Sequence, residues 1–407
     1  MTNRDLSIWL DEQSVPNVVW YVKRLSGNDT LANASHQAGP YVPRELFLSL
    51  FPSIAASDAR NPDRWFELRI DSHRDVRQVR AIWYNNKLRG RTRNEARLTN
   101  FGGATSALLD ANSTGSLAVF AFHQDQHGET VLCRCWVCDE AEADLVEDRI
   151  GPVEPGSYRT WSIDQTPPSL HTSRHAKCWL EPDKIPEAWR TKFPTGLDII
   201  RKTVQLRPAR GIPVDRRLMQ RRECEYEMFR SLEENVELPL IRTGFTSIDG
   251  FVARAQTILQ RRKARSGRSL ELHTRELLLE EQLNEGRDFS YQPESDPGQR
   301  PDFLFPSQQA YQDVAFPADR LRMLAVKTTC KDRWRQILTE ANRIEHKHLL
   351  TLQEGVSEAQ FREMQGAGVQ LVVPEPLFPA YPVAVRPHLQ TLASFFADIR
   401  VLGIGQQ

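Results

Sequence analysis

The chain has 407 residues, 40% hydrophobic and 26% charged, with 53 basic residues against 53 acidic ones. That length exceeds one ordinary core, so two domains are expected. No apolar run is long enough to cross a membrane as a helix, and the opening MTNRDLSIWLDEQ lacks the basic and apolar regions of a secretory leader, so a cytoplasmic location is expected. Zero net charge neither favours nor excludes nucleic acid, because a basic face can be offset by an acidic one.

Residues 1–165 read as β-rich. VVWYVKRL (18–25), RWFELRI (64–70), VRAIWYN (79–85), LAVFAFH (117–123) and TVLCRCWV (130–137) are short β-branched and aromatic runs separated by Gly, Asn, Asp and Pro. Their spacing suggests a barrel or sandwich. Between Arg74 and Arg97 eight Arg and Lys stand against Asp75 and Glu95, and a later run, Arg261, Arg262, Lys263, Arg265 and Arg268, contains no acid. Each reads either as a solvated face or as phosphate-contacting surface. Cys133, Cys135 and Cys138 supply three zinc ligands at most where a structural site needs four, so reduced strand cysteines are expected.

From about 150 to 185 the run GPVEPGSYRTWSIDQTPPSLHTSRHAK carries four prolines and almost no periodicity. It reads as a hinge, placed at 166–185. Residues 186–407 read as α/β. VDRRLMQRRECEYEMFRSLEENVEL is a long amphipathic helix, and Thr246 or Ser247 caps a second, SIDGFVARAQTILQRRKAR. LELHTRELLLEEQL is a third helix. DFLF (302–305), RMLAVKTT (322–329), KHLLTL (347–352) and VQLVV (369–373) read as strands. DRWRQILTEANRI reads as a helix between the second and third strands, and Ser357 with Gln360 forms a capping box after the third.

Hydrolysing a phosphodiester takes carboxylates that hold a metal ion and a cation beside the attacking water. Pro301-Asp302 and Lys327, with 25 residues from Asp302 to Lys327, place such groups at the ends of two expected strands. The residue two before the lysine is acidic in the usual PD-(D/E)xK pattern, and here it is Ala325. Either the site is dead or the acid comes from elsewhere. Glu340, on the expected helix, shares a face with Arg333, Gln336 and Ile337; on spacing alone it reads as a solvated carboxylate. Lys331, Asp332 and Arg333 follow the strand. Two cations that donate to guanine and an acid that accepts from cytosine suit C·G pairs, and equally suit a capped helix start.

The run PDFLFPSQQAYQDVAFPADRLRMLAVKTTCKDRWRQILTEANRI resembles the catalytic core of the EcoRII-type restriction endonucleases, and more distantly the PspGI and Ecl18kI enzymes. The likeness extends through ECEYEMF, RRKARSGRSLELH and LLTLQEGVS and into the N-terminal domain. It implies a type IIE enzyme with a B3-like pseudobarrel effector domain (1–165) and a PD-(D/E)xK-type catalytic domain (186–407) cutting double-stranded DNA at CCWGG. It implies a second carboxylate moved downstream, giving Asp302, Lys327 and Glu340 as catalytic residues with Glu271 alongside, and Asp302 and Glu340 as Mg²⁺ ligands. It also implies base reading by Lys331, Asp332 and Arg333, and a flipped base stacked on Tyr226, with Trp334 a weaker candidate that reads as core. In the effector arms, KRLSGNDTLANASHQAG offers Lys23, Asn28 and His36, and YNNKLRGRTRNEARLTNFGG offers Arg91, Arg93, Asn94, Glu95 and Arg97. Expected partners are DNA, a second copy joined through the C-terminal domain, and a cognate methyltransferase protecting the same site. Ala325 keeps a non-cleaving DNA-binding protein as the alternative; a structure-reading repair nuclease fits the base-reading triplet less well.

Overall fold

The structure is a computed structural model that describes residues 3–33, 39–90, 92, 94–162 and 178–403. Two sheets organise it. The first contains β1 (Val18–Arg24), β2 (Asp63–Ile70), β3 (Asp75–Tyr84), β4 (Glu95–Thr99), β5 (Leu117–Gln124), β6 (Thr130–Val137) and β7 (Tyr158–Ser162). Its order is β4-β3-β2-β6-β5-β1-β7, with β2 and β6 parallel and the other pairs antiparallel. Side chains alternate across a strand, and both faces of β1 and β5 are covered. Tyr21, Phe120 and Phe122 enter one core with the helix Arg44–Leu50, while Trp20, Val119 and Ala121 enter another with the helices Asn3–Gln13 and Glu140–Ile150. This is why the two strands are legible as unbroken apolar runs. The end strands β4 and β7 do not pair with each other among the described residues, so the expected barrel is present as a mixed sheet.

Strand β7 lies inside the proline-rich stretch expected to lack structure. It pairs with β1, and Trp161 stacks on Trp20 at 5.5 Å. Two aromatics among prolines gave too little alternation to reveal it. Residues 163–177, most of the expected hinge, lie outside the described residues.

The second sheet contains β8 (Ser290–Tyr291), β9 (Phe303–Phe305), β10 (Arg322–Lys327), β11 (Lys347–Thr351) and β12 (Val369–Val372), in the order β12-β11-β10-β9-β8. Strands β10, β11 and β12 run parallel, and β9 and β8 are antiparallel. One face packs Phe303, Leu324, Val326 and Leu350 against Leu218 and Leu277 of two long helices, Val214–Thr243 and Ile248–Glu280. The other packs Met323, Ala325 and Leu349 under Trp334, Ile337, Ala341 and Phe361.

The second and third expected helices are one continuous helix, Ile248–Glu280, capped by Ser247, whose hydroxyl accepts from the N–H of Gly250 at 3.0 Å. The capping box at Ser357 and Gln360 is formed. Most of the basic run 261–268 is spent on internal pairing. Arg262 binds Glu233, Arg261 and Arg254 bind Glu237, and Arg265 binds Glu225 and Glu154 at 2.5–2.9 Å. The acids come from the opposite helix and from the first domain, so a run without acid in sequence is neutralised in space. Cys178 and Cys224 form a disulfide that sequence spacing did not suggest, and Cys133, Cys135 and Cys138 are buried free thiols.

The sheets' surroundings meet at a seam. The N–H of Gly27 donates to the carbonyl of Glu354 at 2.6 Å, and Asn33 donates to the carbonyl of Pro379 at 2.8 Å. A Cβ on Gly27 would stand 2.1 Å from the carbonyl oxygen of Ala380, and one on Gly355 would stand 3.0 Å from the Cα of Gly27.

Candidate active site and DNA-facing surfaces

Asp302 immediately precedes β9, and Lys327 ends β10, the strand beside it. The carboxylate Oδ2 of Asp302 accepts from the N–H of Val326 at 2.7 Å and lies 3.6 Å from the ammonium of Lys327. Burial pushes the Asp302 carboxyl above its ordinary value, with Lys327 and the Val326 N–H pulling it back. Glu271, on the long helix, accepts from Gln292 at 2.9 Å and from the hydroxyl of Tyr291 at 3.2 Å. Burial and then the charge of Asp302 raise its carboxyl.

Glu340 is not on a helix. The segment after Lys331 is a short 3₁₀ helix, Arg333–Thr339, and Glu340 follows it in extended backbone. The expected face shared with Arg333, Gln336 and Ile337 is therefore absent, since a 3₁₀ turn eclipses residues three apart. The chain turns away at Ala341, whose φ of 49° is left-handed. Glu340 is half-buried beside Lys327 and Asp302, and its Oε2 is buried with no hydrogen-bond partner. Burial, opposed by Lys327 and helped by Asp302, lifts its carboxyl to about 7. Ala325 projects to the same face of β10 as Lys327 and packs in one cluster with Ile337 and Ala341. The position of the usual acid is thus occupied by core, and a carboxylate on the neighbouring segment stands within electrostatic range of the lysine without pairing to it.

A carboxyl raised in the folded state disfavours folding once ionised. Glu340 is nearly neutral below its unfolded value and fully charged above about 7, so its cost to the metal-free chain grows through that window. Metal-free Glu340→Gln is expected to melt higher than the wild type at pH 8, with the gap closing toward pH 4.5. A gap that does not change with pH contradicts the buried, unpaired carboxylate.

Among the described residues no group of three or more His, Cys, Asp and Glu is arranged to hold a metal ion. Two carboxylates completed by water and substrate oxygen are nonetheless an ordinary donor set for Mg²⁺. The unpartnered buried oxygen of Glu340 and the crowding of three carboxylates around one lysine fit such an ion.

The triplet beyond β10 faces the first domain. Lys331 donates to the hydroxyl of Ser116, and burial lowers its ammonium. Arg333 donates to Glu140 at 3.2 Å and to Asp144 at 3.1 Å, both on the helix Glu140–Ile150. Asp332 pairs with Arg335 at 3.6 Å and makes no side-chain cap bond.

The family described as EcoRII C terminal matches residues 229–396, and the family described as Restriction endonuclease EcoRII, N-terminal matches residues 14–165. The Type II restriction enzyme EcoRII of Escherichia coli is 42% identical over 398 residues, 96% of each chain. The chain belongs to the EcoRII family of type II restriction enzymes. Among solved structures, a metal-depleted Ecl18kI in complex with uncleaved, modified DNA is 17% identical over 56% of this chain and 86% of its own, with a TM-score of 0.42. A UbaLAI restriction endonuclease B3 domain with cognate DNA is 19% identical over 38% of this chain and 98% of its own, with a TM-score of 0.28.

In this EcoRII-family chain Tyr226 lines a cavity of about 400 Å³ together with Glu154, Arg222 and Arg265. The guanidinium of Arg265 lies 4.7 Å from the ring centroid, and Arg159 donates to the phenol oxygen at 3.2 Å. Glu154, from the first domain, binds Arg222 at 2.7 Å and Arg265 at 2.9 Å. Sequence reasoning missed both arginines, whose only signal was their place beside Tyr226 or in a basic run. Trp334 is buried in the sheet core, as its weaker standing implied.

In the first domain a groove of about 970 Å³ gathers Lys23, Asn28, Asn94 and Arg97. Lys23 binds Asp29 at 2.6 Å, Asn28 accepts from Asn33 at 2.7 Å, Asn94 accepts from Trp83 at 2.9 Å, and Arg97 donates to Glu95 at 2.7 Å. Glu95 opens β4, next to Asn94. Asp29, buried and also bonded to Ser26 and to the N–H of Tyr41, was not singled out in sequence. His36, Arg91 and Arg93 lie outside the described residues.

Proposed function

We propose that this chain cleaves double-stranded DNA at CCWGG in a Mg²⁺-dependent reaction, with 186–407 as a PD-(D/E)xK-type catalytic domain and 1–165 as a B3-like effector domain joined through 166–185. The observation that carries the reading is the pairing of Asp302 with Lys327 at 3.6 Å next to a Glu340 oxygen that has no partner. Asp302 and Glu340 would hold the ion, with Glu271 close enough to Asp302 to feel its charge. When bound, the ion supplies Lewis-acid stabilisation of the charge that develops on the phosphate.

Lys327, with a quarter of its side chain exposed, presents its ammonium where a phosphate oxygen and the attacking water meet, and offsets charge there. The N–H of Val326 fixes one oxygen of the Asp302 carboxylate, which leaves the other available to a metal ion. Lys331, Asp332 and Arg333 read the C·G edges, so that reading is coupled to the catalytic strand. Tyr226 receives the flipped base, and its position beside Arg222 and Arg265 suits a π-face with cations behind it. Lys23, Asn28, His36, Arg91, Arg93, Asn94, Glu95 and Arg97 grip a further copy of the site. Two chains pair through their C-terminal domains, because a two-strand cut at a two-fold site needs two active sites. A cognate methyltransferase protects the same sequence. The bonds of Ser116, Glu140 and Asp144 to the triplet support restraint of the nuclease by the effector domain.

Digestion of a plasmid carrying several CCWGG sites tests the reading. Discrete fragments mapping to those sites, formed with Mg²⁺ and abolished by EDTA, are expected. Binding without cutting in Mg²⁺ or Mn²⁺ would hand the function to a non-cleaving protein.

A further inference from the structure

Glu340 closes a 3₁₀ helix, its N–H donating to the carbonyl of Ile337 at 3.1 Å, and belongs to no sheet ladder. The turn that follows is gripped by three side chains, one from the strand just after it and two remote in sequence. The buried ammonium of Lys347, the first residue of β11, donates to the carbonyls of Ile344 at 2.7 Å and Ala341 at 3.3 Å. Asp296, in the loop between β8 and β9, accepts from the N–H of Asn342 at 3.1 Å. The hydroxyl of Tyr311 donates to Asp296 at 2.8 Å and accepts from the N–H of Arg343 at 3.2 Å. Between these anchors Ala341 is held left-handed, a conformation that a residue with a Cβ adopts only when its surroundings impose it.

We propose that Lys347, Asp296 and Tyr311 form a positioning clamp that sets the Glu340 carboxylate against Asp302 and Lys327. The clamp rests on the proposed role of Glu340 as the relocated second carboxylate. A ligand on β10 itself inherits its place from the sheet. A ligand on a turn does not, and an error of an ångström there costs large factors in rate. The clamp supplies the missing reference. Lys347 lies on β11, which pairs with the β10 strand that ends in Lys327, and Asp296 lies in the loop leading to Asp302 and β9. Glu340 is thereby fixed to the framework that fixes its two partners. The Lys347 ammonium also faces Glu340 and Asp296, so it offsets the charge of the carboxylate it positions. None of the three residues touches the reacting atoms; they act through residues 341–344.

The test uses the full chain with Tyr311→Phe, Lys347→Met, Lys347→Arg and Glu340→Gln. Mn²⁺ affinity of the chain bound to a cognate duplex is read from the EPR signal of free Mn²⁺, and metal-free DNA binding is measured alongside. Tyr311→Phe and Lys347→Met are expected to weaken Mn²⁺ binding by about 10–100-fold, the range for groups that orient metal ligands, with metal-free DNA binding unchanged. Lys347→Arg should recover part of the loss. In a Glu340→Gln background the same substitutions should have no further effect, because residues acting through one group are not additive. Wild-type Mn²⁺ affinity in Tyr311→Phe, or an equal loss with and without Glu340, overturns the clamp. Should Lys347→Met not fold, Tyr311→Phe alone decides. If Glu340→Gln leaves Mn²⁺ affinity intact, the assignment of Glu340 falls first and the clamp with it.

Discussion

Lys327→Ala is expected to slow single-turnover cleavage of a CCWGG duplex by about 10²–10³-fold or more, the cost of removing one group that stabilises transition-state charge. The loss has two sources. The cation that meets the phosphate is gone, and the buried carboxylate of Asp302 loses the opposite charge 3.6 Å away. Its ionised form, already disfavoured by burial, becomes scarcer, so the metal is held more weakly as well. Glu340→Ala should be as severe, because it deletes a ligand outright. The two variants separate by pH. Raising the pH should recover part of the Lys327→Ala loss by ionising Asp302, and none of the Glu340→Ala loss. Both should still bind DNA without metal, Lys327→Ala more weakly by the loss of one phosphate-facing cation. A Lys327→Ala chain that cuts within about tenfold of wild type, a barrier change of only about 1.4 kcal/mol, contradicts the assignment.

Removing the effector domain is expected to release the nuclease. Lys331 and Arg333 are engaged by Ser116, Glu140 and Asp144, and the Tyr226 cavity is engaged by Glu154. A chain held this way reaches DNA only after those contacts open. The cut is best made before Cys178, because Leu180 and Ile185 pack with Met228 and Leu232 of the long helix, and Cys178 is bonded to Cys224. On DNA with one site, the fragment should cleave about 5–150-fold faster than the full chain, the usual span of an allosteric coupling. In the full chain, Glu140→Ala with Asp144→Ala should recover only part of this. Those pairs are substantially exposed, and exposed pairs contribute little. An inactive but folded fragment removes the restraint from the account.

The parallel strands of the second sheet were legible because both their faces are covered, which writes them as continuous apolar runs. Ser247 and Ser357 announced their helices because a cap is a local interaction. The segment after Lys331 failed for the opposite reason. DRWRQILTEANRI has a helical pattern, yet its end is held by Lys347 on the strand that follows and by Asp296 and Tyr311, which are near it only in space. Asp302 and Lys327 came from strand context and spacing. Glu340 came from family likeness, since its position on a turn leaves no periodic trace. The pairing of the 261–268 run was hidden because its acids sit a helix away.

At the seam, Gly27 and Gly355 put main chain directly against main chain. Neither position touches the proposed catalytic carboxylates or the base-reading triplet, yet the smallest side chain at either acts as a wedge. How firmly the halves close is therefore a trait that varies separately from which sequence is cut. A single codon at either position is enough to loosen the closure of the halves while leaving the proposed cutting site untouched.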